Sequence, residues 1–189
     1  LNLNNLGEDG ALARATHDRV ARLFARSGIA ASALDAMVAP MRDAGGAGTA
    51  SQDARGSFVR VAEAAAAPGI DASRLAALAH LLTALPGPTR VNVNTAPPEV
   101  LALVAQGLDG EALAALVAER ARKPFASVGE FRSRLPAGAS APDDALLAVR
   151  SEYFVVTVRA RQGEALAQGR ALLRRPTDGA PLVVWQTIE

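Results

Sequence analysis

The chain has 189 residues and a formal net charge of +1, from 20 basic and 19 acidic side chains. A chain of this length can bury a hydrophobic core as one domain or as two small ones. The balanced charge argues against nucleic-acid binding, which needs a basic face to neutralise phosphates, and the absence of cysteine excludes disulfides and thiolate metal sites.

The chain opens with a short segment in which leucine and asparagine alternate. A period of two is typical of a half-buried strand, so the pattern predicts a strand over Leu1–Leu6. A helix is predicted from Glu8 to Ser27, where apolar side chains recur on one face and Gly28 provides the stop. An isolated strand is not stable alone, so we expect Leu1–Leu6 to pair with the strands predicted at the C-terminal end of the chain.

Short helices and a loop are predicted next. A second helix covers Ser32–Val38, with Pro40 beyond its end. Residues 41–56 are small, polar and rich in glycine, which predicts a loop. Ser57–Leu85 is predicted to form another small helical unit.

The rest of the chain is organised around the central segment Thr89–Pro136. It begins with the extended stretch Val91–Thr95, which alternates apolar and polar side chains. Pro97 and Pro98 follow, and proline fits a helix in its first turn, where backbone N–H groups lack intrahelical partners. The pattern therefore predicts a helix that starts at these prolines and stops before Gly107.

Two more helices are predicted in this segment. Asp109 is placed to cap a helix, and Ser127 with Glu130 forms a capping box ahead of a third short helix. Three residues of this segment, Phe125, Val128 and Glu130, have counterparts earlier in the chain. Phe58, Val61 and Glu63 are of the same types and are spaced in the same way. We therefore predict two related helical modules.

A last helix is predicted for Ser140–Arg150, and the residue pattern changes at Ser151. Apolar and polar side chains then alternate in segments separated by turn residues, which predicts an antiparallel meander. Its strands are Tyr153–Arg159, Ala165–Arg175 and Leu182–Ile188. Strands at both ends and helices in the middle predict an α+β fold with a helical insertion.

The sequence lacks the patterns of common catalytic sites. The two histidines, His17 and His80, lie in predicted helices without a second ligand at metal-binding spacing. Adjacent carboxylates on a helix, as in Asp143-Asp144, point about 100 degrees apart and cannot share a proton. The glycine run Gly45–Gly48 lacks the flanking strand and helix of a dinucleotide site. We predict that the protein is not an enzyme.

The central segment resembles the minor pseudopilin K family of bacterial type II secretion systems. Further similarity lies in the preceding Leu85–Arg90, in Leu1–Leu6 as a first strand, and in Tyr153–Arg159 and Val183–Trp185 as closing strands. The residues that carry the family signature are Val91, Asn92, Val93, Asn94, Thr95, Ala96, Pro97, Glu99, Val100, Leu101, Phe125, Ser127, Val128 and Phe131.

The resemblance implies a discontinuous pseudopilin-type sheet domain, made of residues 1–7 and 151–189. A helical domain of two modules, residues 8–150, is inserted into it. The resemblance also implies a structural role at the tip of the periplasmic pseudopilus, bound to the minor pseudopilins I and J. There the protein would cap the filament and help to start its assembly, with secreted substrates or the outer-membrane channel as further contacts.

Members of the family carry an N-terminal membrane helix, and no apolar run here approaches the roughly 20 residues that span a bilayer. No signal-peptide pattern is present. Because the chain starts at Leu1 without an initiator methionine, we expect that the helix has been removed and that the full-length protein is anchored in the inner membrane.

Calcium is a cofactor in some members of the family, bound by an acidic segment early in the helical insertion. The matching region here, Ala36–Asp53, has Asp43 and Asp53 as its carboxylates. Hard cations take six to eight oxygen ligands. We expect no cofactor, with calcium as the open alternative.

A second resemblance leaves DNA binding as the alternative function. The central segment is similar to helix-hairpin-helix modules, in which a glycine-rich hairpin holds a phosphate through backbone N–H groups. The corresponding hairpin here is Gln106–Glu111, where Asp109 and Glu111 would face the phosphate. Because carboxylates repel phosphate, we expect that nucleic acid does not bind.

Overall fold

The computed structural model describes residues 1–45, 57–140 and 144–188. The helices are α1 (Ala11–Arg26), α2 (Ala31–Gly45), α3 (Ala72–Ala77), α4 (Pro98–Val104), α5 (Gly110–Arg122) and α6 (Val128–Ser133). Shorter 3₁₀ helices cover Leu3–Gly7, Val61–Ala66 and Asp144–Leu146. The strands are β1 (Val91–Asn92), β2 (Leu147–Ala148), β3 (Tyr153–Gln162), β4 (Ala165–Arg174) and β5 (Leu182–Ile188). No helix in these ranges is both long enough and apolar enough to cross a bilayer.

The chain divides into two units, Leu1–Val149 and Arg150–Glu189. The first unit is mostly helical and contains β1 and β2 as a parallel pair. The second is an antiparallel sheet in the order β3-β4-β5. The predicted α+β class, with a helical region and a C-terminal antiparallel sheet, is confirmed.

The prediction that Leu1–Leu6 is a strand of the C-terminal sheet is wrong. Leu3–Gly7 is a 3₁₀ helix of the first unit, and Asn2 forms an isolated bridge to Thr83. The leucines and asparagines alternate, yet both kinds of side chain are buried. The Asn2 side-chain oxygen accepts from the backbone N–H of Asn4 at 3.2 Å. Such local bonds compete with the hydrogen bonds of a strand, which explains why the alternating pattern wrongly predicted a strand here.

The second helix is longer than predicted. Instead of ending at Val38, α2 continues to Gly45 with Pro40 inside it. Met41 follows the proline and is 2% exposed. Burial of its side chain stabilises the continued helix and offsets the free-energy cost of a proline inside it. The predicted loop over residues 41–56 is therefore wrong at its start, and residues 46–56 lie outside the described residues.

The predicted helix over Ser140–Arg150 is also wrong in the part that the structure describes. A single 3₁₀ turn at Asp144–Leu146 leads into β2, which pairs in parallel with β1. The Val93 N–H donates to the Ala148 carbonyl at 2.9 Å, and Leu146 and Leu147 are fully buried. This pairing depends on residues more than 50 positions away, so local periodicity does not reveal it.

The two predicted helical modules share one arrangement of hydrogen bonds. In the first, the Asn4 side chain donates to the Phe58 carbonyl at 2.8 Å and accepts from the Phe58 N–H at 2.8 Å. In the second, the Asn94 side chain donates to the Phe125 carbonyl at 2.9 Å and accepts from its N–H at 2.8 Å. We call each of these an amide bracket. The prediction of two related modules is confirmed.

A carboxylate follows each amide bracket at the same distance along the chain. Glu63 accepts from the Val59 N–H at 2.9 Å, and Glu130 accepts from the Ala126 N–H at 2.7 Å. The repeated spacing of phenylalanine, valine and glutamate therefore marks the same turn in both modules.

Candidate interaction surfaces

The signature segment forms the interior of the second module. Pro97 caps α4 and Pro98 is its first residue, as predicted. The buried signature residues are Val93, Ala96, Val100, Leu101, Phe125 and Phe131. Thr95, Pro97, Glu99 and Ser127 are exposed, and Val91, Asn92, Asn94 and Val128 are partly buried. The segment holds the module together, and most of its apolar side chains are not available at the surface.

Polar bonds fix the course of this segment. Asn94 donates to the Val149 carbonyl at 3.2 Å in addition to its amide bracket. From α5, Arg120 donates to the carbonyls of Val93 and Ala96 at 2.8 and 2.9 Å. Burial lowers the pKa of Arg120. Arg120 therefore fastens α5 to the segment between β1 and α4.

The predicted capping box at the start of α6 is confirmed. Ser127 Oγ accepts from the Glu130 N–H at 3.0 Å. The hydrogen bond from the Ala126 N–H, followed by that from the Arg134 side chain, holds the pKa of Glu130 below its ordinary value. The Arg134 guanidinium also lies 5.1 Å from the centre of the Phe125 ring.

The turn between α4 and α5 is held close to the chain that follows α6. Gln106 and Ser140 exchange two backbone hydrogen bonds, of 2.8 and 2.9 Å. Gly107 has φ of +74°, and a Cβ there would stand 2.8 Å from the Gly138 carbonyl oxygen. Asp109 and Glu111 are exposed beyond the turn, and Asp109 caps α5 without a side-chain bond. The carboxylates predicted to oppose phosphate are at the surface.

The structure adds a basic feature that sequence reasoning missed. Arg22 and Arg26 of α1 line a cavity of about 320 Å³ together with Gln106 and Gly107. Arg19 lies one turn before Arg22 and is 6% exposed. The spacing of three and four residues places all three arginines on one helix face, a signal visible in the sequence. That this face meets the turn between α4 and α5 was not visible.

The second unit exposes an apolar surface, which we call the apolar sheet face. Residues directly opposite one another in adjacent strands share a face, so the register assigns its members. They are Phe154, Val156, Val158, Ala160, Ala167, Gly169, Ala171, Leu173, Val183 and Ile188, with Gln162 and Gln186 as polar members. Val158 is 59% exposed. Its β4 members Ala167, Gly169 and Ala171 are small and lie on the central strand, between β3 and β5.

The other side of the sheet, the mixed sheet face, is more polar. Arg159 donates to the Gln168 side chain at 3.0 Å, and the Arg174 guanidinium lies 5.9 Å from the centre of the Tyr153 ring. Burial raises the pKa of Tyr153. Leu172 is buried on this face at 2% exposure. The apolar sheet face carries fewer charged side chains, with the Arg175 guanidinium 4.9 Å from the centre of the Phe154 ring, and it is the stronger candidate for contact with protein.

The described residues contain no group of three or more side chains suited to hold a metal ion. His17 lies 3.9 Å from Asp35, and Asp144 pairs with Arg132 at 2.9 Å. Asp43 belongs to α2. Asp53, Asp143 and residues 46–48 lie outside the described residues.

Comparison with known proteins addresses the predicted resemblance directly. Residues 91–156 match the family model of the type II secretion system (T2SS), protein K. The predicted resemblance to the protein K family is confirmed. All of the signature residues fall inside the matched segment. No curated protein sequence gives a significant match to the chain.

A solved structure extends the comparison to the whole chain. The chain is similar over 100% of its length to 75% of a chain in the crystal structure of the GspK-GspI-GspJ complex from the enterotoxigenic Escherichia coli type 2 secretion system. The TM-score is 0.71 and the sequence identity is 19%. This likeness shows a shared fold that includes both units, whereas the protein K family model covers the second module and the start of β3.

Proposed function

We propose that the chain is the periplasmic part of a minor pseudopilin K. In this proposal it is a structural protein and not an enzyme, and the full-length protein is anchored in the inner membrane. The observation that carries the proposal is the fold likeness over the whole chain to a component of the GspK-GspI-GspJ complex. The match of residues 91–156 to the protein K family supports it from sequence.

The proposed partners are the minor pseudopilins I and J of the same secretion system. The apolar sheet face supports this assignment, because exposed apolar patches on soluble domains mark interaction sites. A pseudopilin subunit that carries a helical unit as large as Leu1–Val149 would obstruct the addition of a further subunit. We therefore propose that the protein caps the pseudopilus tip and helps to start assembly. Secreted substrates or the outer-membrane channel are further proposed contacts.

The partner assignment is tested by mixing the chain with the soluble domains of I and J. Size-exclusion chromatography with light scattering should show a 1:1:1 species. A stable specific complex needs a buried area of about 1,200 Å² or more. Elution of the chain alone at micromolar concentration, with cross-linking in cells that finds neither partner, would refute the proposal.

We propose that no cofactor is needed for this role. Of the two carboxylates in the region that resembles the family's acidic segment, Asp43 belongs to α2. Thermal melts with millimolar calcium and with a chelator should coincide. Stabilisation by about 2–3 kcal/mol in calcium, as saturation far above Kd gives, would reveal a site.

A further inference from the structure

We propose that the cavity between α1 and the α4–α5 turn binds a carboxylate side chain of an acidic peptide segment. We call this cavity the arginine cleft. It is lined by Arg22, Arg26, Ala102, Leu103, Gln106 and Gly107. Its volume, about 320 Å³, is at the lower end of the range for small-molecule sites. It has room for one side chain and the adjoining backbone.

The cleft already holds one arginine in a carboxylate-binding geometry. With the Gln106 amide oriented so that its oxygen faces Arg22, that oxygen accepts from both terminal guanidinium nitrogens at 2.7 and 2.8 Å. The same two nitrogens can instead donate one hydrogen bond to each oxygen of a carboxylate. An incoming carboxylate would replace a neutral acceptor with a charged one, and charge-assisted hydrogen bonds are about twice as strong.

The arginines around the cleft form no direct ion pair with a carboxylate among the described residues, although Asp18 attracts Arg19 at longer range. Within the described residues, no carboxylate lies within 4.0 Å of the guanidinium groups of Arg19, Arg22 or Arg26. Arg19 is 6% exposed and its Nε has no hydrogen-bond partner. Burial, followed by repulsion from Arg22, lowers the pKa of Arg19. The buried Arg19 charge, with its Nε unpaired, adds to the positive potential of the helix face that carries Arg22 and Arg26.

The charges around the cleft favour a peptide over a nucleic acid. Ala102 and Leu103 supply apolar surface beside the exposed side chains of Arg22 and Arg26. Asp109 and Glu111 are exposed just beyond Gly107. A duplex that follows the turn would hold its regularly spaced phosphates against these carboxylates, whereas a flexible peptide can insert one acidic side chain beside Arg22 and Arg26 and turn away from them.

Isothermal titration with acetylated, amidated hexaglutamate at about 150 mM salt tests the proposal. We expect binding with Kd below about 1 mM, and no binding of the matching hexaglutamine peptide. The double variant R22Q/R26Q should weaken binding at least ten-fold. The control R60Q/R90Q removes the same charge from two exposed arginines outside the cleft and should bind like the parent.

A third variant tests the geometry of the fork. Gln106→Glu places a carboxylate of nearly the same shape against Arg22 within the chain, so it should abolish peptide binding and raise Tm. Backbone amide NMR shifts of Ala102 and Gly107 should move on titration of the parent and remain fixed in this variant.

Several results would overturn the proposal. Equal weakening in R22Q/R26Q and R60Q/R90Q would show that binding follows overall charge. Undiminished peptide binding by Gln106→Glu would place the peptide elsewhere. Displacement of the peptide by an equal concentration of inorganic phosphate, or by duplex DNA, would identify a different ligand. None of these results bears on complex formation with I and J, so the two proposals fail independently.

Discussion

The amide brackets show how single polar residues determine the fold of each module. Asn94 satisfies both backbone groups of Phe125 and also the Val149 carbonyl. It therefore ties together three segments that are separated by 31 and 55 residues along the chain. An unsatisfied buried donor or acceptor costs more free energy than the bond itself contributes. Removal of the Asn94 side chain should therefore cost more stability than its hydrogen bonds contribute.

Asn94→Ala should lower the free energy of unfolding by about 2–4 kcal/mol, since it leaves partly buried backbone groups without partners. Urea denaturation followed by circular dichroism measures the change. Asn4→Ala removes the equivalent amide bracket of the first module and should have a similar effect. Thr95→Ala, at an exposed neighbour, is the control. A loss no larger than that of the control would contradict the role of the bracket.

Glu130 links the stability of the second module to pH. Its pKa is lowered by the Ala126 N–H and then by Arg134, so the folded state favours the carboxylate. The contribution is present above the ordinary glutamate pKa of 4.5 and is lost as pH falls through the lower folded value. Glu130→Gln should therefore reduce the loss of stability between pH 5 and pH 3, measured as the urea midpoint. Glu111→Gln is the control, and equal pH dependence in both variants would refute the assignment.

At the scale of elements, the α4–α5 turn combines backbone conformation with close packing. Gly107 and Gly138 both have positive φ, but a Cβ at Gly107 would collide with the Gly138 carbonyl, whereas one at Gly138 meets nothing within 4 Å. Gly138→Ala should cost about 1 kcal/mol, because alanine is strained at positive φ. Gly107→Ala should cost about 2 kcal/mol more. Thermal unfolding of the two variants isolates the steric effect as the difference between their losses of stability. Equal losses would show that the turn adjusts to accommodate the Cβ at Gly107.

Elements with a local cause were predictable from sequence. The prolines at the start of α4, the Ser127 cap and the strands of the meander each follow from residues within a few positions. Leu1–Leu6 was not predictable, because the partners of its asparagines lie more than 50 positions away at Phe58, Leu85 and Thr89. The arginine cleft was not predictable for the same reason. The spacing of arginines along α1 places them on one helix face, but it does not indicate that this face contacts the α4–α5 turn.

At the scale of the whole molecule, the two units differ in how they are stabilised. Buried apolar side chains are concentrated in Leu1–Val149, whereas Leu172 is the buried apolar residue among those described in the second unit. An antiparallel sheet that buries so little has a marginal core, and sheets of a few strands normally pack a hydrophobic face on another element. The apolar sheet face therefore has the composition of an interface.

The last prediction tests that face. V156T/V158T keeps β-branched shape and strand propensity while replacing exposed methyl groups with hydroxyls, so the folded chain should retain its parent Tm within a few degrees. If the apolar sheet face is covered in the complex with I and J, the buried hydroxyls would lack partners, and each would cost about 1–3 kcal/mol. The affinity for the partners should then fall at least ten-fold, as measured by biolayer interferometry.

Val155→Thr makes the same change on the mixed sheet face and should bind like the parent. A loss caused by Val155→Thr alone would move the interface to the opposite side of the sheet, and an equal loss in both would indicate that the sheet itself is weakened.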